Sequence, residues 1–151
     1  MDIEKFEIRK GMVYEEVAQT SSYTGSKMTG DENAYERIFT TEDDRSQLER
    51  FWRESCTAVC ETMRRYLISD YATEEGHVFE FEFSRSFDQA LIPSMRQDLF
   101  SFFVMNVSAK WFGFCNKGES GEYTQSAAGL LEGFHRKACF KRKPTRPVYN
   151  K

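Results

Sequence analysis

Two histidines and four cysteines are all that 151 residues offer for thiol or soft-metal chemistry. Cys56, Cys60, Cys115 and Cys139 are too few and too scattered for a secreted disulfide scaffold. Without export they are expected as free thiols. The N-terminus, Met1-Asp-Ile-Glu-Lys-Phe, has neither the basic nor the apolar region of a signal peptide. No stretch approaches the about 18 uninterrupted apolar residues that cross a bilayer. The longest candidate, residues 99–114, is broken by Ser101, Asn106, Ser108 and Lys110. The expectation is a soluble protein made in the cytoplasm, with no membrane contact. A phosphate-cradling glycine motif is missing too: the nine glycines are dispersed, and Gly118-Glu-Ser-Gly121 reads only as a turn. There is no internal repeat and no low-complexity tract.

What is present is a globular composition, 40% hydrophobic and 30% charged. Aromatics reach 15%, and 14 of them are phenylalanine. So much ring surface in a short chain implies a dense core or a buried contact with a partner. The net charge of −3 is unevenly spread. The last eleven residues carry Lys141, Arg142, Lys143, Arg146 and Lys151 and no acid, so the other 140 residues sum to −8. An acidic body with a basic tail is not the profile of a general nucleic-acid binder, which is basic over a whole face.

Hydrophobic spacing sets the expected elements. Residues 1–40 read as an N-terminal arm, with a short helix over 10–19, a polar loop from Thr20 to Gly30 and a helical turn at Tyr35, Ile38 and Phe39. Thr41 is a plausible N-cap for a helix over 42–70. Leu48, Phe51, Trp52, Cys56, Val59, Cys60, Met63 and Leu67 recur there at three- and four-residue steps. After Gly76, the run His77-Val-Phe-Glu-Phe-Glu-Phe-Ser-Arg85 alternates with period two, predicting a half-buried strand. Its mate is either residues 3–8 or a strand of a neighbouring subunit. Pro93 opens a helix that is apolar nearly all round to Phe112. Gly113 and a loop over 116–121 end it, and a last helix runs from Ser120 to Lys143, before Pro144. The predicted fold is mainly α: a small helical bundle over 41–143, three long helices plus the short N-terminal one, with one β-strand or a small β element and a basic tail over 144–151.

Few constellations could carry chemistry. Cys56-x3-Cys60 and His135-x3-Cys139 each share one helix face, and two such helices packed together could hold zinc. The simpler reading is that both pairs continue or flank apolar stripes. His77 and His135 lie in no recognisable nucleophile segment. Adjacent carboxylates, Asp43 with Asp44, Glu74 with Glu75, Glu80 with Glu82, suit solvated faces and helix starts. The expectation is a non-enzymatic chain with no catalytic, cofactor or metal site. Its basic tail reads as an extended arm for nucleic acid or an acidic neighbour, or as a dipole-matched helix end with a solvated terminus.

One segment, Pro93-Ser-Met-Arg-Gln-Asp-Leu-Phe-Ser-Phe-Phe-Val-Met-Asn-Val-Ser-Ala-Lys-Trp-Phe112, resembles the small helical head–tail connector (adaptor or neck) proteins of tailed bacteriophages. In that family a strongly apolar helix opens at proline and closes on an aromatic pair. The long preceding helix, the following helix opened by Glu122-Tyr123 and the basic proline-containing tail are similar too, so the likeness covers residues 40–147. The long N-terminal arm and the Lys-Arg-Lys end of the last helix depart from the pattern.

The resemblance implies a virion structural protein that forms a homo-oligomeric ring between portal and tail, with portal and tail or neck proteins as partners. Phe79, Phe81, Phe83, Phe100, Phe103, Trp111, Phe112, Lys141, Arg142, Lys143 and Arg146 are then the expected subunit contacts. Two other readings compete with it. One is a helical regulatory module whose tail binds nucleic acid or a partner. The other is a small enzyme or zinc protein built on Cys56, Cys60, His135 and Cys139.

Overall fold

The computed structural model describes residues 3–27, 42–115 and 117–142. Strand β1 (Ile3–Arg9) runs without a loop into α1 (Lys10–Lys27). Helix α2 (Glu42–Thr62) turns over residues 63–66 into β2 (Leu67–Ala72), and a tight hairpin leads to β3 (Gly76–Glu82). A single 3-10 turn, Gln89–Leu91, precedes α3 (Ile92–Cys115), and α4 (Lys117–Ala138) closes the order.

The sheet is antiparallel, in the order β1-β3-β2. The expected bundle of three long helices with one strand is thereby corrected. The described residues form a mixed α/β domain, rich in helix, with a three-stranded sheet as one of its layers.

Three boundaries differ from the sequence-based expectation. Leu67 continues the helical spacing of α2 by falling four residues after Met63, but the helix stops at Thr62. Residues 67–72 are instead claimed by β3, whose second edge would otherwise lack partners for its backbone groups. Residues 20–27, expected as loop, continue α1, and the expected loop over 116–121 supplies the first turns of α4 from Lys117. The anticipated pairing with residues 3–8 does form, in the register Phe6↔Phe79 and Ile8↔His77. The turn at Tyr35, Ile38 and Phe39, the Thr41 cap and the tail from Lys143 onward lie outside the described residues.

The alternation of β3 sends Phe79 and Phe81 to one face, where both are fully buried. Phe6 of β1 and Phe134 of α4 complete this layer, with Phe6 5.5 Å from both Phe81 and Phe134 between ring centres. Trp52 of α2 meets Phe103 of α3 at 4.8 Å, and Phe103 meets Phe79 at 6.1 Å. Helix α3 is apolar on every side because it contacts α1, α2, α4 and β1 at once.

Polar ties fix the helices laterally. Asn106 donates to the Ser55 hydroxyl at 2.8 Å, Lys110 pairs with Glu54 at 2.9 Å and Lys137 with Asp98 at 2.6 Å. On the open side of β1, the Arg96 guanidinium donates to the Lys5 carbonyl at 2.9 Å and lies 4.9 Å from the Phe6 ring centre. That edge is blunted.

Gly76 marks a close backbone approach in the sheet, since a Cβ there would sit 1.9 Å from the Ile8 carbonyl oxygen. Replacing Gly76 by Ala should push β1 off β3 and cost more than about 1 kcal/mol. Gly129, with open space around it in the middle of α4, should respond oppositely, with Ala stabilising by about 0.5–1 kcal/mol. Phe81→Ala should lose about 3–5 kcal/mol. Urea unfolding of the three variants measures all three effects, and equal responses of the two glycine variants would discount the close approach.

Candidate functional site

A groove of about 830 Å³ runs between α2 and the β2 side of the sheet. Trp52, Cys56 and Cys60 form one wall because they recur on one face of α2. Leu67, Asp70 and Ala72 of β2, with His77 of β3, form the other. Lys10, Glu49, Arg53, Glu61 and Arg64 edge its mouth. The volume suits a small molecule or a few residues of extended chain.

Two polar networks organise it. Asp70 and His77 lie diagonally across the hairpin, and His77 Nε2 is 2.8 Å from Asp70 Oδ2. The Asp70 carboxylate also stands close enough to the Cys60 thiol to oppose its ionisation. At the mouth Lys10 Nζ donates to Glu49 at 2.7 Å and the Tyr14 hydroxyl donates to the same carboxylate at 3.1 Å. Partial burial works to raise the Glu49 carboxyl, but the bonds from Lys10 and Tyr14 outweigh it and hold the group below its usual range. Tyr14, half-buried and facing that carboxylate, is pushed upward.

Both groove thiols are held above the ordinary cysteine range. Burial pushes the Cys56 thiol up to about 12, and the neighbouring Cys60 adds to the effect. Burial, then Asp70, pushes Cys60 up to about 11. A thiol nucleophile must be a thiolate near neutral pH, and Cys60 faces a carboxylate whose negative charge opposes its ionisation.

The second pair of the zinc hypothesis lies elsewhere. Cys139 Sγ is 3.2 Å from the Tyr66 hydroxyl, and the His135 ring packs 6.2 Å from the Tyr66 ring. The structure does not gather Cys56, Cys60, His135 and Cys139, and no metal-capable cluster of three or more such groups occurs among the described residues.

The expected contact residues divide sharply. Phe79, Phe81, Phe83, Phe103, Trp111 and Phe112 are buried in the chain's own core, and Phe100 is half-buried against it. Their burial is accounted for without a second chain. Lys141 and Arg142 are exposed, held by a bridge between Lys141 and Phe87 and by Arg142 N–H donating to the Ser86 carbonyl at 2.6 Å. Lys143 and Arg146 lie outside the described residues.

Sequence reasoning missed Asp70 and Glu49 as partners. The signal for Asp70 was there in principle, since residues 70 and 77 become cross-strand neighbours once 67–72 is read as a strand. Compared with protein families, curated proteins and solved structures, the chain matches none.

Because both thiols have folded values above the unfolded value of about 8.5, their contribution to stability is complete below that pH and declines as pH rises through the folded values. Alkylation of Cys60 by iodoacetamide, followed by peptide mass spectrometry, should be slow at pH 7 and still accelerating at pH 10. Asp70→Asn should speed it. A rate that has levelled off by pH 8 would restore the nucleophile reading.

Proposed function

We propose that this chain is a non-enzymatic structural subunit that works by assembly, of the kind typified by the head–tail connector and neck proteins of tailed phages, forming a ring between portal and tail. The reading starts from the resemblance of residues 93–112 and of the helices around them. Helix α3, which carries that segment, is the scaffold on which the other helices and the sheet are arranged.

The observation that carries it is the open edge of β2. Thr73 N–H donates to the Gly76 carbonyl at 2.8 Å, so the pairs 72/77 and 70/79 are the non-bonded ones of the ladder. Asp70 and Ala72 therefore turn their backbone groups away from β3, and no described residue pairs with them. Ile68 and Tyr71 on the same strand are 45% and 44% exposed. A strand edge with exposed apolar side chains is a surface that another chain can cover. Because the phenylalanines are spent on the core, contacts between copies fall on this edge and on the charged ends of the domain.

A regulatory module binding nucleic acid is the second reading, favoured by the exposed cations Lys141 and Arg142. Light scattering of the purified chain, alone and mixed with a portal ring, separates the two. Particles several times the monomer mass are expected. A monomer under both conditions, with a salt-sensitive shift of a DNA oligonucleotide, would replace the assembly reading by the second.

A further inference from the structure

The domain has opposite charges at the two ends of β3. At its Glu82 end five exposed cations converge: Arg64 and Arg65 in the turn before β2, Arg85 just beyond β3, and Lys141 and Arg142 after α4. The convergence is built by hydrogen bonds and ring contacts rather than by sequence. Glu82 N–H donates to the Tyr66 carbonyl at 2.8 Å, and the Tyr66 hydroxyl meets Cys139 Sγ at 3.2 Å. Phe83 and Phe87 pack at 4.5 Å, and Phe87 is bridged to Lys141. None of the five cations forms an ion pair with a described residue. The segments that carry these cations are made neighbours by the fold, and an anionic group placed there meets charges that no described acid has neutralised.

The opposite end of β3, about 20 Å away along seven residues, is a two-residue hairpin tip made of Glu74 and Glu75. The tip is fixed, since Thr73 N–H bonds to the Gly76 carbonyl and Lys10 N–H to the Glu75 carbonyl, each at 2.8 Å. Both side chains are exposed. Glu74 has no ion-pair partner among the described residues, and Glu75 has only the solvated Arg9 at 3.6 Å. Between the ends lies the open edge of β2.

We infer that copies of this chain associate head to tail, the Glu74-Glu75 tip of one seated in the cationic end of the next, with the exposed β2 edge as the strip between. This rests on the assembly reading above and names its contact. The tip is narrow and acidic, and the receiving end carries exposed cations with no ion-pair partner among the described residues, so the two ends are complementary in charge. Where each copy seats its tip in one neighbour and receives the tip of another, the contact is heterologous, the type that closes into a ring or extends as a filament. Its formation should weaken with salt, because the charges that drive it are exposed.

Charge reversal tests it on the full-length protein by sedimentation velocity, with circular dichroism to confirm folding. R64E/R65E alone and E74K/E75K alone should each lose assembly at least tenfold in concentration. Mixing the two variants should restore it, because each then offers the other a complementary end, and the fourfold variant carrying all changes should also assemble. Variants that assemble like the parent, or a mixture of folded variants that stays monomeric, would overturn the head-to-tail contact while leaving assembly itself standing. If R64E/R65E assembles normally but loses a DNA oligonucleotide that the parent binds, the cationic end serves nucleic acid and the inference is wrong. A parent that never assembles, with or without portal, removes the assembly reading itself.

Discussion

The side chains of β3 cannot be left in water, and its backbone cannot be left unpaired. Phe79 and Phe81 project from one face of a strand that needs neighbours on both edges, and these two demands organise the domain. Strand β1 meets one edge and β2 the other. Helices α3 and α4 then close over the ring layer that Phe6, Phe79, Phe81 and Phe134 form together. Burying an aromatic side chain contributes about 1.5–3 kcal/mol, so a layer of four is a large share of the net stability of a domain of this size. The cost of breaking a helix at Thr62 to make β2 is small beside it.

The same arrangement explains why the groove is where it is. Helix α2 packs on α3 through Trp52 and Phe103, and it leaves the inner face of β2 partly uncovered. Small and polar side chains, Ala72, Asp70 and Cys60, stand at that gap where aromatic residues stand elsewhere. The gap is thus polar at its base, with burial opposing ionisation of both thiols and His77 engaged by Asp70. The β2 edge beside it keeps Ile68 and Tyr71 exposed.

Much of this could be read from spacing alone. The alternating strand after Gly76, the helix after Pro93 and the apolar stripe of α2 follow from period-two or three-and-four patterns, while residues 3–8 stood as one of two possible mates for the strand. What spacing could not reveal was β2. Residues 67–72 carry one residue, Leu67, that continues the helix pattern and several that suit a strand, and local preference does not decide between them. The candidate site suffered the same fate, since Asp70 and His77 face one another only when that hairpin forms. The contact residues expected from aromatic content went astray for a different reason. Composition counts rings but does not say which side of the surface they lie on.

By itself, then, the sequence determined which segments are amphipathic, that the helix after Pro93 would be covered all round, and that charge is segregated toward the C-terminus, because these depend only on residue order and local periodicity. The tertiary structure decided that the cover comes from the chain's own helices and sheet, that residues 67–72 are strand, that the two cysteine-bearing pairs stay apart, and that cations from three separate segments meet at one end. Such outcomes depend on contacts between residues far apart in sequence. Their free energy comes from burying β3 and satisfying both of its edges, which no local window of the chain contains.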